Sequence, residues 1–532
     1  MDTRPTCGEA LVKLLEDYGV DTVFGIPGVH NLELYRGFAG ANIRHVLPRH
    51  EQGAAFMADG YARMTGKPGV AFVITGAGVT NAMTPLGQSF TDSVPVLLVS
   101  SDNPRETLGK GYGCLHEVTD QSAMTRPLCA FSETPSDPEE VPGIVARAFD
   151  QFNSRRPRPV HLSVPLDLLA EQTRTDWSPR PAAPKPGPEL DAIEQAATLL
   201  DQAKRPLILV GGGARGAAQQ IVELAERLDC PTLGTVAGKD VLPSNHPLHL
   251  GCLMWSSVCD KVLSEADVVL AIGTELSRND TYNDQFVLPG KLIRIDIDAA
   301  EFDLRFRPAV GIRSDAKLAV DALLDVLGPQ VATNDGVERA AAYRATPFEG
   351  FLPKLEDKHA AILDQIGQAM PEDGVLVGDM TQVIYTSIPK FPLPPKGRFL
   401  FPAGYGTLGY GLPAAIGAKI GAPDRAVLAV AGDSGFLYTA PEMMVAAELG
   451  LNLVALVWNN RALGQIRDDM VNRRIQTVGV TPEPPDFEAL AKAFRWSYAR
   501  PDRADGIADA LKAGFAAKGP TLVEVQDGIP GL

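Results

Sequence analysis

The chain has 532 residues, 45% of them apolar and 21% charged, and its 49 Lys+Arg against 65 Asp+Glu give a net charge of −16. An acidic chain without a basic run is not typical of proteins that bind nucleic acid or anionic membranes. The six cysteines are scattered without a CxxC pair, which favours reduced thiols. With charges throughout the first 20 residues and no long apolar run, we expect a cytoplasmic α/β enzyme without a signal peptide or membrane segment.

Predicted strands and helices alternate along the first part of the chain. The runs DTVFGIPG, GVAFVITGAG and VPVLLVSSD predict strands, and EQGAAFMADGYARMTG and TNAMTPLGQSF predict helices between them. This alternation is typical of a parallel sheet with crossover helices. The Pro-rich segment SPRPAAPKPGPE, residues 178–189, predicts a linker.

Two further blocks repeat the same alternation. The second contains RPLILVGGGARG, ADVVLAIGTELS and GKLIRIDIDA, and the third contains GVLVGDMTQ, AVLAVAGDSGF, LNLVALVWNN and PTLVEVQDG. The composition turns polar around residues 330–355, which predicts a second linker. We therefore predict three doubly wound parallel-sheet α/β domains, over residues 1–175, 190–335 and 350–532.

The stretch AVLAVAGDSGF contains GDSG, which resembles the GDSGG nucleophile loop of chymotrypsin-like proteases. A nucleophilic Ser434 would need a His and an Asp placed around it on a β-barrel. The α/β pattern and the missing last Gly argue against that interpretation. The alternative is that Asp433 is the functional residue and Ser434 its neighbour.

The segments around Asp433 predict one strand–helix–strand unit. Residues 426–431 and 451–458 are continuous apolar runs, as expected of strands buried on both faces. We expect GDSGFLY to be a loop and Thr439 with Glu442 to form the capping box of the next helix. Asp433 and Asn460 then both follow carboxyl ends of parallel strands, where open α/β sheets bind ligands.

A carboxylate and an amide oxygen suit Mg²⁺, and the loop N–H groups and the helix start suit a phosphate. The alternative is that Asp and Asn merely end their strands. The pattern resembles the thiamine diphosphate signature GDG…NN. Similar segments occur nearly end to end, and they resemble the acetolactate synthase and 2-oxo acid decarboxylase family: residues 47–70, 74–100, 155–169 and 404–418.

The resemblance implies a pyrimidine-binding first domain, a central nucleotide-fold-like domain and a diphosphate-binding third domain. Glu51 then hydrogen-bonds the aminopyrimidine ring and promotes loss of the thiazolium proton, although a carboxylate in the first turn of a helix can also serve the helix dipole. The implied ligands of Mg²⁺ are Asp433, Asn460 and the carbonyl of Ala462. The other implied cofactor contacts are Thr381, Gln382, Gly406, Leu408, Gly432, Ser434 and Gly435.

Ser434 stands where the family usually has Gly, and Gly435 where it often has Ser. We therefore interpret Asp433 as the functional residue and Ser434 as lining the loop. The family also implies a homodimer or homotetramer in which Glu51 of one subunit serves the cofactor of another. In the central domain, GGGARG (211–216) matches a dinucleotide fingerprint but lacks the later acidic residue, so we expect FAD to be absent.

The substrate pocket departs from acetolactate synthases at His116, Ala130 and Asp469. The motifs are instead most similar to the 5-guanidino-2-oxopentanoate decarboxylase group. A guanidinium tail favours a carboxylate partner, which Asp468 or Asp469 offers, although nearby arginines make surface ion pairs the alternative. Further pocket candidates are Gln465, His30 and His116, the two histidines as proton relays.

Two other functions stay open at this point. One is an acetolactate-synthase-like carboligase that joins the decarboxylated substrate to a second carbonyl compound. The other is a cofactor-binding regulatory relative without activity. The presence of Glu51, Asp433 and Asn460 favours an enzyme, because a protein that only binds the cofactor does not need Glu51.

Overall fold

The computed structural model describes residues 4–281, 286–288, 290–328, 335–347 and 357–532. Within these residues, no helix combines the length and apolar composition needed to cross a membrane. The described helices and strands form three units in chain order, each built around one six-stranded sheet.

The first sheet is parallel and has the strand order β2-β1-β3-β4-β6-β5. Its central strands are Val-, Leu- and Phe-rich and buried along their whole length, as parallel strands covered on both faces require. The strands are β1 Thr22–Gly25, β2 Arg44–Val46, β3 Gly69–Val73, β4 Val96–Asp102, β5 Phe131–Glu133 and β6 Val160–Pro165. The helices are α1 Cys7–Asp17, α2 Leu32–Arg36, α3 Glu51–Thr65, α4 Ala77–Thr91, α5 Gln121–Thr125, α6 Val141–Ser154 and α7 Leu166–Ala170, with 3₁₀ turns at Arg126–Leu128 and Pro138–Glu140.

The second sheet has the order β12-β11-β10-β7-β8-β9, again parallel. Its strands are β7 Pro206–Val210, β8 Thr232–Gly234, β9 His249–Gly251, β10 Val268–Ile272, β11 Lys291–Asp296 and β12 Val310–Arg313. The helices are α8 Leu190–Asp201, α9 Ala218–Arg227, α10 Ser257–Glu265, α11 Arg278–Thr281, α12 Ala316–Val326 and α13 Gly336–Ala345, with 3₁₀ turns at Gly212–Ala217, Val236–Gly238 and Ala299–Phe302.

The third sheet has the order β14-β13-β15-β16-β18-β17 and is also parallel. Its strands are β13 Val375–Gly378, β14 Arg398–Leu400, β15 Val427–Gly432, β16 Val454–Asn459, β17 Ser497–Ala499 and β18 Thr521–Gln526. The helices are α14 Asp357–Ala369, α15 Gln382–Lys390, α16 Gly411–Gly421, α17 Asp433–Leu437, α18 Met443–Glu448, α19 Gly464–Asn472, α20 Phe487–Ala493 and α21 Gly506–Ala516, with a 3₁₀ turn at Ala440–Glu442.

The predicted fold class is confirmed, since each unit is a parallel sheet with interleaved helices. The predicted linker 178–189 contains no helix or strand. The predicted second linker lies partly outside the described residues, and residues 336–345 within it form a helix, α13. The polar composition there reflects a helix with one buried face, because Arg339, Ala340 and Tyr343 are buried.

Two local predictions around GDSG are wrong. Residues 433–437 form the short helix α17 rather than a loop, because the chain turns into helix directly at the end of β15. Thr439 and Glu442 do not form a capping box. The hydroxyl of Thr439 donates to the carbonyl of Gly409 at 2.9 Å, and the carboxylate of Glu442 accepts from residues of the first unit.

The first and third units share one hydrophobic core, in which α3 packs against α16. Glycines make this approach close: a Cβ on Gly60 would overlap the carbonyl of Ala414, and a Cβ on Gly417 would overlap that of Met57. The two backbones are therefore in contact where each helix lacks a side chain.

Gly417→Ala is expected to lower the midpoint of thermal unfolding, because the added Cβ forces α3 and α16 apart. Overpacking of this kind costs about 1–3 kcal/mol. Gly143→Ala in α6 is the matched control, since a Cβ there meets no atom within 4 Å and Ala favours helix. Equal stability of the two variants, measured by calorimetry, would contradict the packing argument.

Candidate active site

Asp433 stands at the carboxyl edge of the third sheet, as the first residue of α17. Its side chain is 2% exposed. One carboxylate oxygen accepts from the N–H of Ser434 at 2.6 Å, and the other accepts from the N–H of Arg461 at 2.7 Å. Burial raises the pKa of Asp433, because a carboxylate in a poorly solvated place is less stable than in water. A cation at this carboxylate would offset that cost.

Asn460 follows β16, which pairs with β15 so that Gly432 lies opposite Trp458. The side chains of Asp433 and Asn460 therefore lie at one edge of the sheet, as the pattern predicts. The amide oxygen of Asn460 accepts from the N–H of Ala462 at 3.2 Å. Its amide nitrogen contacts the side-chain oxygen of Gln382 at 3.4 Å.

The turn after β13 brings Thr381 and Gln382 to the same edge. A Cβ on Gly432 would lie 3.3 Å from the hydroxyl of Thr381. Gln382 also donates to Asp468 at 3.1 Å. The structure thus gathers both predicted diphosphate turns, one after β13 and one after β15, around Asp433 and Asn460.

Leu408 lies above α17, since a Cβ on Gly435 would come within 3.4 Å of its side chain. The turn that carries Leu408 contains Gly406 and Gly409 with φ of 71° and 81°, which favours glycine. The carboxylate of Asp379 holds this turn by accepting from the N–H of Gly409 at 3.2 Å and of Gly411 at 2.9 Å. Burial raises the pKa of Asp379 to about 6.

Glu51 lies in the first unit, as the first residue of α3. Its carboxylate accepts from the side-chain amide of Asn81 at 2.9 Å. His50 precedes it as the N-cap, and its Nδ1 accepts from the N–H of Gln52 at 3.1 Å. Glu51 is therefore held both by the start of α3 and by a side chain of α4.

His30 and His116 lie together, with ring centroids 5.1 Å apart in an edge-to-face arrangement. His116 has a φ of 61°, and a Cβ on Gly76 would overlap its carbonyl. Gln121 holds the Gly76 turn by accepting from its N–H at 2.7 Å. Burial and then the neighbouring His116 lower the pKa of His30, so its imidazole is neutral near pH 7.

Three candidate substrate residues, Gln465, Asp468 and Asp469, lie on α19 and have different hydrogen-bond partners. Asp468 forms an ion pair with Arg467 at 3.0 Å as well as its bond to Gln382. Asp469 accepts from the side-chain amide of Gln465 at 3.2 Å. Among the described residues, the side-chain oxygen of Gln465 and the Nδ1 of His30 are buried without a hydrogen-bond partner.

Ser434 donates its hydroxyl to the carboxylate of Asp433 at 3.1 Å. The protease triad needs a His as the partner of the serine hydroxyl, whereas the partner of Ser434 in the structure is the carboxylate of Asp433. In the central unit, GGGARG begins a 3₁₀ turn, and a Cβ on Gly211 would overlap the carbonyl of Gly273. These glycines permit close packing of β7 against the turn after β10.

Sequence reasoning missed Asn81, Asp379 and Glu442. Asp379 follows β13 at the sheet edge that Asp433 also occupies, so the same edge argument could have found it. Asn81 sits one turn into a helix whose contact with Glu51 is not visible from spacing. The spacing of Glu442 from Thr439 predicts a local capping box, and it gives no sign of the contact with the first unit.

The residues at this edge fit thiamine diphosphate with a Mg²⁺ ion. The oxygen groups at the edge are the buried carboxylate of Asp433 and the amide oxygen of Asn460, and both are ligands that Mg²⁺ prefers. The described residues contain no group of three His, Cys, Asp or Glu able to hold a metal, so an ion here would depend on amide, carbonyl and phosphate oxygens. A Cβ on Gly464 would overlap the side chains of Gln382 and Asn460, so the glycine is required for these two side chains to take their positions at the edge.

Three parallel α/β units, with polar side chains gathered at the carboxyl edge of the third sheet, are typical of an α/β protein that binds a ligand at that edge. Three family models match the chain: the N-terminal TPP binding domain of thiamine pyrophosphate enzymes over residues 5–124, their central domain over 193–323 and their C-terminal TPP binding domain over 378–525. The chain therefore belongs to the thiamine pyrophosphate enzymes, and the predicted family is confirmed.

Three curated relatives cover most of the chain. A probable 2-ketoarginine decarboxylase of Pseudomonas aeruginosa is 50% identical over 527 residues, 98% of this chain and 94% of the relative. The acetolactate synthase isozyme 1 large subunit of Escherichia coli is 33% identical, over 87% of this chain and 83% of the relative. An acetolactate synthase of Arthrospira platensis is 32% identical, over 98% of this chain and 94% of the relative.

Asp379→Asn is expected to weaken thiamine diphosphate binding about tenfold, because the new amide nitrogen would face the N–H of Gly409 or Gly411 and one hydrogen bond is lost. The control is Asp424→Asn, at an exposed position. Titration followed by tryptophan fluorescence measures both affinities. Unchanged affinity in Asp379→Asn would show that the turn keeps its form without the carboxylate.

Proposed function

We propose that this protein is a thiamine-diphosphate- and Mg²⁺-dependent decarboxylase that converts a guanidino 2-oxo acid to an aldehyde and CO₂. Two groups of side chains carry the proposal. Asp433, Asn460 and Gln382 lie at one sheet edge and supply an anchor for a metal–diphosphate group. Glu51 is held separately by Asn81 and supplies a carboxylate for the aminopyrimidine. The relative named as a probable 2-ketoarginine decarboxylase supports the reaction class.

Bound thiamine diphosphate supplies a nucleophilic carbon and an electron sink for decarboxylation. Asp433 and Asn460, with the carbonyl of Ala462, hold Mg²⁺ in this proposal. Thr381, Gln382, Ser434 and Gly435 line the diphosphate. Leu408 and the carbonyl of Gly406 orient the rings, and Glu51 shares a proton with the aminopyrimidine.

In this proposal the His30 and His116 pair relays a proton from solvent to the decarboxylated substrate, which gives an aldehyde, whereas a second carbonyl compound in place of the proton gives a carboligation product. His30 is neutral because burial lowers its pKa, and its Nδ1 has no partner among the described residues. A neutral imidazole beside a second one can accept a proton and pass it on. Gln465 lies near the same substrate in this proposal, with its buried side-chain oxygen as acceptor for an N–H group.

Asp469 is the preferred partner for the guanidinium group. Asp468 already binds Arg467 and Gln382, whereas the bond of Asp469 comes from the neutral amide of Gln465. A carboxylate that is not neutralised by a cation attracts a guanidinium more strongly, and the two groups match in fork geometry.

The active unit in this proposal is a homodimer or a homotetramer of dimers, with Glu51 of one subunit at the cofactor of another. Two apolar side chains next to candidate residues support it: Val29 is 64% exposed and Leu115 is 62% exposed. Val29 and Leu115 adjoin His30 and His116. Exposed apolar patches of this kind favour a protein interface.

Product analysis tests the reaction directly. Purified protein with thiamine diphosphate and Mg²⁺ is given 5-guanidino-2-oxopentanoate, pyruvate and an apolar 2-oxo acid. CO₂ with the matching guanidino aldehyde supports the proposal. An acetohydroxy acid from pyruvate would favour the second candidate, a carboligase, which the acetolactate synthase relatives support. No turnover with any of them would favour a regulatory relative.

Glu51→Gln is expected to bind thiamine diphosphate nearly normally and to lose at least about 100-fold in kcat, since proton transfer by a positioned side chain contributes about that much. Steady-state kinetics and fluorescence titration measure the two effects. Full activity would contradict the assigned role of Glu51.

Asp433→Ala is expected to lose Mg²⁺-dependent cofactor binding, because the buried carboxylate is the only charged ligand in the proposed set. Chelation of Mg²⁺ should have the same effect on the unchanged protein. Ser434→Ala is the matched control at the next residue and is expected to stay active. An inactive Ser434→Ala with intact cofactor binding would revive the nucleophile interpretation.

Mixing Glu51→Gln chains with Asp433→Ala chains tests the shared site. If Glu51 serves the cofactor of the other subunit, a mixed dimer has one site with neither substitution, and activity returns. Absence of recovery, with mixed dimers verified by mass spectrometry, would place each site within one chain.

Asp469→Asn is expected to lower kcat/KM for the guanidino acid about 10- to 100-fold, with little change for an apolar 2-oxo acid. Asp468→Asn is the control on the same helix. A larger loss of selectivity in Asp468→Asn would transfer the assignment to that residue.

A further inference from the structure

Glu442 is a residue of the third unit whose carboxylate reaches into the first. It lies in the 3₁₀ turn between α17 and α18 and is 1% exposed. Its oxygens accept from the N–H of Arg49 at 3.0 Å and from the N–H of His50 at 3.0 Å. These two residues directly precede Glu51.

Helix α3 has a glycine where this carboxylate lies. A Cβ on Gly53 would overlap the side-chain oxygen of Glu442. Glycine is a poor residue for a helix interior, so its presence two residues after Glu51 is explained by the space that the carboxylate occupies. The same carboxylate therefore lies against the start of α3 and binds the two N–H groups immediately before that helix.

The charges around Glu442 favour a fixed position over a mobile one. The groups that face it are the two backbone N–H groups, the side chain of Arg49 and the carboxylate of Glu51. Burial raises the pKa of Glu442 to about 7, with Glu51 adding to the shift and the two N–H groups opposing it. Glu442 is 1% exposed, so little solvent competes for its carboxylate oxygens, and the two bonds hold the backbone at residues 49 and 50.

We propose that Glu442 is a positioning residue, which orients Glu51 by fixing the backbone immediately before it. The inference rests on the proposed role of Glu51 in catalysis. The contact made by Glu442 joins the turn after α17, the helix that begins at Asp433, to α3, the helix that begins at Glu51. A displacement of a catalytic group by about 1 Å can cost about 100-fold in rate, so this contact affects turnover although Glu442 touches no reacting atom.

The first arm of the test needs neither substrate nor cofactor. Amide hydrogen exchange is measured by mass spectrometry on peptides that contain residues 49 and 50, in the unmodified protein and in Glu442→Gln. The Gln side chain keeps one acceptor oxygen and places a nitrogen at the other position, so at least one of the two N–H groups loses an acceptor, and exchange at that amide is expected to be about tenfold faster. Glu448→Gln is the control, because Glu448 pairs with the Arg49 guanidinium but not with its backbone.

The second variant approaches the contact from the other side. Gly53→Ala displaces the Glu442 carboxylate while raising helix propensity, and it is expected to give the same faster exchange. Unchanged exchange in both variants would overturn the contact itself.

The kinetic arm separates positioning from simple support of the fold. Glu442→Gln is expected to lower kcat about 10-fold or more with KM and thiamine diphosphate affinity within about twofold, and Glu448→Gln to match the unmodified protein. Faster exchange with unchanged kcat, or equal losses in kcat and cofactor affinity, would overturn the positioning role. If the unmodified protein decarboxylates no 2-oxo acid, the proposed function fails, while the exchange arm still decides whether Glu442 fixes residues 49 and 50.

Discussion

The contact between α3 and α16 is the constraint on which the rest of the structure depends. Two glycines, Gly60 and Gly417, allow each helix to touch the backbone of the other. Around them, Arg63 forms buried ion pairs with Asp59 at 2.6 Å and with Asp92 at 2.7 Å. The same carboxylates also accept from the third unit, Asp59 from the Tyr410 hydroxyl at 2.8 Å and Asp92 from the N–H of Gly404 at 2.7 Å, so buried polar contacts join the first and third units beside the two helices.

That placement determines where the chemical groups of the two units stand. Glu51 begins α3, and the turn with Leu408 directly precedes α16. The helix contact therefore fixes the starting points of both the carboxylate and the cofactor-facing turn. Within the third sheet, the parallel pairing of β15 and β16 brings Asp433 and Asn460 to one edge. Strand pairing thus brings Asp433 and Asn460 together, and helix packing determines where each chain presents its Glu51.

Much of this arrangement could be predicted from the sequence because it depends on local periodicity. Continuous apolar runs such as residues 426–431 identify buried parallel strands, and strand ends identify the edge at which Asp433 and Asn460 meet. Contacts between distant segments could not be read in this way. Thr439 and Glu442 have the spacing of a capping box, yet the tertiary contact with Arg49 and His50 outweighs the local bond.

Three buried carboxylates near the carboxyl edge of the third sheet show why sequence spacing alone does not identify the role of each one. Burial raises the pKa of Asp379, Asp433 and Glu442 alike, so residue type and environment do not distinguish them. Their hydrogen-bond donors do: Asp379 accepts from the Gly409 and Gly411 turn, and Glu442 from the residues before Glu51.

Asp433 differs from the other two because all of its donors lie at the ends of β15 and β16. It accepts from Ser434 and from Arg461, one residue beyond Asn460. The carboxylate is therefore held beside an amide oxygen and does not support a distant segment. A buried anion next to a neutral oxygen donor is stabilised by a cation, whereas Ser434 only contributes a hydroxyl bond to that anion. The GDSG stretch thus has its chemistry in the aspartate, because a strand–helix–strand unit presents this side chain to the ligand edge.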